Sequence, residues 1–286
     1  MNIGICGLGL MGASFGRTLY KNTDCKVFGY DISESVMLKA QLLNAIHGVL
    51  NEETAKSIDL LVISVFPRDF KAVAEKFLPY MKPGSTVLDF CGIKRSVVED
   101  MKKLHETYTE INFIGGHPMT GREFSGIDHS VTTLFNKSSM ILVPVFADIF
   151  LESQIKKFFL SIGCDEVVVT DAETHDKNIA FTSQMCHITS SAFIKSPTAE
   201  NHFGYSAGSY KDLTRVARMN PEMWAQLVTD NSDNIINELD CLINNLTEYR
   251  NAIKNNDEKE LKKLFEEGNE IKLRIDVGRK NDKIKN

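Results

Sequence analysis

The sequence has little of several features that mark particular classes of protein. Lysine and arginine number 33 against 38 aspartate and glutamate residues, which leaves a net charge of −5 over 286 residues. Because phosphate binding needs a basic face, this balance argues against a nucleic acid as a partner. No run of about 18 apolar residues occurs, so no transmembrane helix is predicted. We therefore expect neither a nucleic acid nor a membrane as a partner.

Cysteine is present but is not arranged for metal binding or cross-linking. The six cysteines are scattered, without a C-x-x-C pair and without a histidine cluster beside them. That distribution argues against a zinc site and a disulfide framework, and it favours a reducing compartment. The N-terminus begins with a strand pattern instead of the basic region and long apolar stretch of a signal peptide. We expect a cytoplasmic protein with no metal site.

A glycine-rich turn near the N-terminus is the clearest local signal. Gly7, Gly9 and Gly12 follow a short apolar run with the G-x-G-x-x-G spacing, and a helical pattern comes next. A second predicted strand ends at Asp31, 24 positions after Gly7. A predicted strand, glycine turn and helix with an acid at this distance are typical of dinucleotide binding.

Each residue of that motif has a physical role. Gly7 allows a tight turn, Gly9 lets the backbone approach a pyrophosphate, and Gly12 permits close packing of helix and strand. The helix N-terminus supplies N–H groups for the phosphates. A carboxylate at Asp31 accepts hydrogen bonds from ribose hydroxyls and repels a ribose phosphate, which favours NAD over NADP. The predicted cofactor-binding residues are Gly7, Gly9, Leu10, Met11, Gly12, Asp31, Phe66, Pro67 and Cys91.

The length and the order of predicted elements indicate two domains. Predicted strands alternate with predicted helices in the first part, which indicates an α/β, Rossmann-type, doubly wound and mostly parallel sheet. Long helical patterns then replace the strands, and Pro221 opens a predicted helix with an apolar stripe from Trp224 to Ile253. We predict an NAD-binding domain over 1–168, an all-α substrate-binding and dimerisation domain over 169–278, and a polar tail over 279–286.

The segment from Gly116 to Asp128, GHPMTGREFSGID, is the predicted chemical centre. It combines His117 with a proline, three glycines and acidic side chains. So much backbone freedom and polarity is typical of a loop that brings a titratable group against a substrate. The carboxyl ends of parallel strands share one edge, so we expect His117 and the cofactor to meet there.

Several motifs together resemble the prephenate dehydrogenase family of tyrosine biosynthesis. They are HPMTGRE with the following SGI, DFCGIK, the pair His175–Asp176 with SQMCH after it, and DLTRVARMNPEMW. They occur in the family's order from Met1 to near Ile275. The resemblance implies a homodimer that oxidatively decarboxylates prephenate to 4-hydroxyphenylpyruvate, with NAD accepting a hydride.

The resemblance also implies roles for individual residues. His117 matches the catalytic histidine, with general-base duty, and Arg215 matches an arginine that binds a substrate carboxylate. Glu123 matches an acid that pairs with that arginine and gates the pocket. The remaining predicted substrate-binding residues are His187, Ser183, Gly208 and Trp224. Plainer interpretations exist beside these, since Glu123 also reads as a solvated loop carboxylate, Trp224 as core, and His175–Asp176 as a structural pair.

Two positions depart from the family's pattern. Gly92 stands in DFCGIK where many members carry a serine that contacts the reacting hydroxyl, and Cys91, Ser96 or a water is a possible substitute. Gln184 stands where a histidine is common, which replaces a donor near the substrate with an uncharged amide. These departures bear on rate and substrate preference more than on reaction type.

Three other functions fit parts of the sequence. The same scaffold could act on arogenate and give tyrosine directly, although an imidazole at His187 instead of a carboxylate favours the keto acid. A β-hydroxyacid or phosphogluconate-type dehydrogenase shares the two-domain plan but uses a lysine base, and Lys177 and Lys195 lie outside a matching motif. A catalytically silent NAD-binding dimer is the non-enzymatic alternative.

Overall fold

The protein is described by a computed structural model that covers residues 1–122 and 124–285. In that part of the chain the strands are β1 (Asn2–Cys6), β2 (Lys26–Tyr30), β3 (Gly48–Val49), β4 (Leu60–Ile63), β5 (Thr86–Asp89), β6 (Asn112–Met119), β7 (Ser139–Phe146) and β8 (Glu166–Val169). The helices are α1 (Leu10–Asn22), α2 (Glu34–Leu42), α3 (Glu52–Ala55), α4 (Phe70–Phe77), α5 (Arg95–His105), α6 (Ile149–Ser161), α7 (Ala172–Ile179), α8 (Met185–Phe193), α9 (Gly208–Thr214), α10 (Pro221–Thr229), α11 (Ser232–Lys254) and α12 (Glu258–Lys285). A π-helical turn, Ala180–Gln184, joins α7 to α8.

The strands form one eight-stranded sheet in the order β3-β2-β1-β4-β5-β6-β7-β8. From β3 to β6 every neighbouring pair is parallel, which confirms the predicted doubly wound sheet. The strand order reverses between β1 and β4, and ligands bind at such a point beyond the carboxyl ends of the strands. β7 is antiparallel to β6, and β8 is parallel to β7. The sheet is therefore mixed at this side. In the described residues of the connection from β6 to β7, no α-helix provides the crossover that a parallel pair needs, and a short 3₁₀ turn, Ile127–His129, is present.

Helices cover both faces of the sheet. Side chains alternate between the faces of a strand, and in β4 Leu60 and Val62 enter one core cluster while Leu61 and Ile63 enter the other. All four are buried, as expected for a strand covered on both sides. The first cluster is completed by phenylalanines of α1 and α6, and the second by apolar residues of α4 and α5.

Two elements differ from the prediction. His117 lies in β6 opposite Ile141 of β7, so the predicted loop is a strand at this residue. The predicted single helix from Pro221 to Ile253 is two helices, α10 and α11. Asn231 lies at the break between them. It is fully buried, and its side chain donates to the carbonyl oxygen of Asp176, a bond that fixes this residue outside both helices.

Contacts divide the chain into one compact unit over Met1–Asn234 and a second unit from Ile235 onward. The first unit contains the sheet together with α7 to α10. In the second, the Tyr249 hydroxyl donates to the carbonyl oxygen of Leu264 at 3.0 Å and its ring lies against Phe265. No helix within residues 1–122 and 124–285 is long and apolar enough to cross a membrane.

Two helical glycines give opposite expectations for stability. A Cβ on Gly16 of α1 would lie 2.1 Å from the carbonyl oxygen of Ala45, whereas a Cβ on Gly268 of α12 would meet no atom within 4 Å. We expect Gly16→Ala to lower the free energy of unfolding by about 1–3 kcal/mol through forced displacement of α1. The control, Gly268→Ala, should raise it by about 0.4–1 kcal/mol by restricting the unfolded chain. Urea unfolding followed by circular dichroism measures both, and equal tolerance of the two variants would contradict the packing of α1.

Candidate active site

The turn after β1 has the shape that a dinucleotide phosphate requires. Gly7 has a φ of +84°, and its N–H donates to the carbonyl oxygen of Tyr30 at 2.8 Å, which ties β1 to β2. A Cβ on Gly12 would lie 2.0 Å from the carbonyl oxygen of Gly7, so only glycine lets α1 start this close to the strand. A Cβ on Gly9 would meet nothing within 4 Å. The backbone at Gly9 thus borders open space at the N-terminus of α1, where a pyrophosphate fits.

Asp31 closes the other side of this turn. One carboxylate oxygen accepts from the N–H of Leu8 at 2.8 Å, and the other accepts from the N–H of Ser33 at 3.0 Å. The acid therefore both holds the glycine turn and keeps lone pairs for ribose hydroxyls. Leu10 and Met11 begin α1, whose N-cap makes no side-chain hydrogen bond, so ligand oxygens can accept from the first amides of this helix.

The other predicted cofactor residues lie at the carboxyl ends of β4 and β5. Phe66 and Pro67 follow β4, where Pro67 begins a 3₁₀ turn. Cys91 follows β5 and is buried, and its thiol points to the carbonyl oxygen of Val65 at 3.5 Å. Burial raises the pKa of this thiol, with the nearby Asp89 adding to the effect. Its side chain is therefore a neutral thiol already directed at the backbone, which makes Cys91 a poor substitute for a hydroxyl in the site.

A chain of hydrogen bonds sets the protonation of His117. Asp176 Oδ1 lies 2.7 Å from His175 Nδ1, and His175 Nε2 lies 2.9 Å from His117 Nδ1. A carboxylate only accepts, so His175 donates from Nδ1 and its Nε2 keeps a lone pair. That lone pair accepts the Nδ1–H of His117. The Nε2 atom of His117 is consequently left with a lone pair, which is the form a general base needs.

Burial and charge keep this chain of side chains in that form. Burial lowers the pKa of His117 well below 6.5, and the neighbouring His175 and Lys94 lower it further. Burial also lowers the pKa of His175, against the opposing effect of its bond to Asp176. For Asp176, burial raises the pKa, but hydrogen bonds from His175 and from the N–H groups of Arg95 and Lys94 outweigh it and lower the pKa overall. The acid stays ionised and both imidazoles stay neutral.

His187 forms a second cluster with residues of the helical region. Its ring lies over Trp224, with 3.8 Å between ring centroids, and its Nδ1 lies 2.9 Å from the carbonyl oxygen of Val216. Nδ1 therefore donates to that carbonyl, and Nε2 keeps a lone pair. Burial lowers the pKa of His187, the bond to Val216 opposes this, and the Arg215 charge lowers the pKa again.

Helix α10 connects the two clusters. A Cβ on Gly92 would lie 4.0 Å from His117 Nε2 and 3.5 Å from the Leu227 methyl carbons, while the Trp224 ring of the same helix contacts His187 at a tilt of 34°. Leu227 thus stands beside the space that a larger residue at position 92 would fill. The space next to the His117 base is bounded by Gly92 on the sheet side and by α10 on the helical side.

Gln184 has a structural place in this arrangement. It is buried, donates to the carbonyl oxygen of Leu227 at 2.9 Å, and accepts from the side chain of Asn231 at 2.6 Å. Both ends of its amide are used inside the protein. The expectation that Gln184 supplies a weaker donor near the substrate is therefore not what its contacts indicate.

The remaining predicted substrate residues are placed as follows. Ser183 lies in the π-helical turn one turn before His187, Gly208 is the first residue of α9, and Arg215 begins the 3₁₀ turn Arg215–Ala217. All three elements pack against α8, which carries His187. Glu123 lies outside the described residues.

The sequence interpretation missed the role of His175 and Asp176. It treated them as a structural pair, although the HD dipeptide was among the motifs that carried the resemblance. Their contact with His117 joins residues 58 positions apart, and no local pattern shows such a contact. Within the part of the chain described, no group of three or more His, Cys, Asp or Glu side chains is arranged to hold a metal ion.

Known proteins resemble this chain in sequence and in structure over nearly its whole length. A cyclohexadienyl dehydrogenase of Zymomonas mobilis is 30% identical, with 96% of both chains covered. A prephenate dehydrogenase of Lactococcus lactis is 28% identical over 96% of this chain and 77% of its own. The crystal structure of Aquifex aeolicus prephenate dehydrogenase in complex with hydroxyphenyl propionate and NAD+ has a TM-score of 0.83 at 26% identity, covering 96% of this chain and 98% of that one.

Family profiles match both parts of the chain. Residues 15–165 match the nucleotide-binding domain of prephenate dehydrogenase, and residues 171–267 match its dimerization domain. The first match begins just after the glycine turn and contains Asp31 and His117, and the second contains the His187 cluster. With both domains matched in order, and a relative at 30% identity over nearly its full length, the chain belongs to the prephenate dehydrogenase family.

Proposed function

We propose that this dehydrogenase oxidatively decarboxylates prephenate to 4-hydroxyphenylpyruvate, with NAD as the hydride acceptor. The observation that carries the proposal is the lone pair on His117 Nε2, which the bonds from Asp176 through His175 require. This base lies beside Gly92, whose missing side chain would otherwise place a Cβ 4.0 Å from Nε2. We propose that residues 1–168 bind the cofactor and residues 169–278 complete the substrate site.

The residues of the glycine turn fit NAD. The open backbone at Gly9 and the first amides of α1 suit the pyrophosphate, and the Asp31 carboxylate suits the two ribose hydroxyls. The same carboxylate repels the additional phosphate of NADP. NAD+ occupies the related Aquifex aeolicus structure, which supports the assignment. When bound, the nicotinamide supplies the acceptor for the hydride.

His117 takes the proton that hydride loss releases. As the carbinol becomes a carbonyl, its hydroxyl proton moves to His117 Nε2. The positive charge that forms on the imidazole is stabilised by the hydrogen bond to His175, which in turn is bonded to the Asp176 carboxylate. Loss of carbon dioxide then restores the aromatic ring, so holding the substrate in line is the protein's main task.

Arg215 and His187 are proposed to hold the substrate's far end. A guanidinium matches a carboxylate with two parallel hydrogen bonds, and prephenate carries two carboxylates. The Arg215 charge beside His187 makes this end favourable for an anion. We propose contacts from Ser183, Gly208 and Glu123 at the same end, following the family resemblance, with Trp224 as the wall behind His187.

Arogenate is the second candidate substrate, and one observation favours it. His187 donates from Nδ1 to Val216, so its Nε2 presents a lone pair that accepts from an ammonium group. A keto acid instead needs that nitrogen protonated. The lowered pKa of His187 therefore favours arogenate. The presence of an imidazole instead of a carboxylate at position 187 favours prephenate. The measured substrate preference decides between the two.

The helical region is proposed to form a homodimer. Its match to the family's dimerization domain extends to residue 267. In the second compact unit, Leu246, Ile253 and Phe265 are each more than half exposed, and apolar area of this kind is typical of a subunit interface.

The six cysteines are all unpaired, which fits the cytoplasmic location proposed from the sequence.

Turnover tests the assignment directly. The formation of reduced cofactor is followed by its absorbance, with prephenate or arogenate as substrate and NAD or NADP as cofactor. The natural protein is compared with His117→Asn. We expect oxidation of prephenate with NAD, and loss of at least about 100-fold in kcat in the variant because the proton acceptor is gone. Calorimetric titration with NAD serves as the control, since the variant should bind the cofactor as the natural protein does. Absence of turnover with both substrates in protein that binds NAD would contradict the proposed reaction.

His175 should act through His117 without touching the substrate. His175→Phe removes both hydrogen bonds and should lower kcat by roughly 100-fold, because His117 loses the partner that fixes its tautomer. His175→Gln keeps hydrogen-bonding atoms near both neighbours and should lose less. KM should change little in either variant. A rise in KM with an unchanged kcat would show that His175 shapes the binding site instead.

Position 92 should accept a serine. In Gly92→Ser the new Cβ meets its neighbours at ordinary contact distances and lies 4.0 Å from His117 Nε2, within reach of a hydroxyl in a suitable rotamer. We expect kcat to rise roughly 2- to 10-fold, the effect of one added hydrogen bond of about 0.5–1.5 kcal/mol. Gly92→Ala is the matched control, which adds bulk without the hydroxyl. If serine and alanine change kcat equally, the serine hydroxyl makes no additional contact with the reacting hydroxyl, and the expectation is wrong.

A further inference from the structure

A buried ion pair lies directly behind His117. The Lys94 ammonium contacts the Asp89 carboxylate, and both side chains are 0% exposed. Burying two charges is expensive, and an apolar pair of similar volume is often as stable or more so. A pair in this place therefore calls for a reason besides stability.

Asp89 is joined to the backbone next to the base. It is the last residue of β5, and its Oδ1 accepts from the N–H of Gly116 at 3.0 Å. Its Oδ2 accepts from the N–H of Cys91 at 2.8 Å and from Lys94. Since Gly116 immediately precedes His117, this carboxylate sets the distance between β5 and the residue that bears the base.

Lys94 is bonded to Asp89 on the sheet side and to Asp176 at one end of the hydrogen-bond chain. Its ammonium bonds to Asp89, and its backbone N–H donates to Asp176 Oδ1 at 2.7 Å. Its alkyl chain packs so closely that a Cβ on Gly115 would lie 3.1 Å from Lys94 Cδ. Gly115 thus leaves room for the lysine behind the strand, whereas Gly116 admits the Asp89 carbonyl oxygen, which a Cβ there would approach to 2.5 Å.

The charges around the base act in opposite directions. His117 faces His175 and Lys94, and His175 faces Asp176, Asp89 and Lys94. Arg95 lies farther out, where it binds the Asp176 carboxylate. Lys94 is thus the cation that opposes protonation at both imidazoles, while Asp89 holds it there.

We propose that Lys94, anchored by Asp89, is a positioning residue that fixes the backbone on both sides of the His117–His175 pair and keeps that pair in its neutral, proton-accepting form. The proposal rests on the proposed role of His117 as the base. It assigns to the ion pair a task that an apolar pair of equal volume could not perform.

The first test follows the histidines of the natural protein. In the cofactor-free protein, the titration of ¹³C-labelled histidine is followed by NMR, with the His117 signal assigned through its loss in His117→Asn. We expect His117 to titrate below the ordinary range near about 6.5. Titration at or above that range would overturn the proposal, whether or not the protein oxidises either substrate. Failure of turnover alone would overturn only the reaction.

The second test removes the cation. In Lys94→Met, the loss of a nearby positive charge stabilises the protonated imidazole, so the pKa of His117 should rise. The inactive, protonated form of His117 then persists to a higher pH. The acid limb of the kcat/KM profile should therefore move upward by about one pH unit, the shift expected on removal of one charge at an effective dielectric constant of about 20. The NMR titration should move in the same direction.

Two further variants complete the comparison. Asp89→Asn with Lys94→Met leaves no lone buried charge, so it should fold, and it should shift the acid limb upward by less than Lys94→Met alone. Lys102→Met removes an exposed cation from α5, the helix that follows Lys94, and should shift neither the acid limb nor the NMR titration. An unchanged His117 titration in the double variant would reduce the ion pair to a structural feature and overturn the proposal.

Discussion

The buried carboxylate of Asp176 is the interaction on which the site depends. It accepts from His175, from the backbone N–H groups that begin α5, and from the Arg95 side chain. An ionised carboxylate removed from water is stable only when it is fully bonded, so each of these donors is required. Because the donors belong to the sheet side and to α7, the same carboxylate joins the two regions and determines which nitrogen of His117 can accept a proton.

The prediction from sequence was most successful where the signal is local. The glycine turn, Asp31 and the parallel strands were foreseen because each depends on residues that are neighbours in sequence or on a short repeat of apolar positions. The antiparallel direction of β7 was not, since strand direction depends on the path of a loop. The break between α10 and α11 was missed for a related reason. The apolar pattern continues past Asn231, and the bonds that hold this residue go to partners far away in the sequence.

The site itself shows the same division. His117 was singled out by the composition of its own segment, and the substrate residues entered through the family resemblance. The structure places His187, Trp224 and the Arg215 turn on neighbouring elements. What sequence could not supply was the function of polar residues whose partners are far along the chain. Gln184 looked like an altered substrate contact and is a link between helices, while the His175–Asp176 pair looked structural and contacts the base.

The π-helical turn Ala180–Gln184 determines where the two imidazoles of the helical region point. His175 and His187 are 12 residues apart. In an uninterrupted α-helix, at about 100° per residue, they would face directions about 120° apart. A π turn takes up one extra residue, which reduces that angle to about 20°. The one added residue therefore brings His175 and His187 to nearly the same side of the helical path. That path can then supply both the partner of the base and the contact proposed for the substrate's far end.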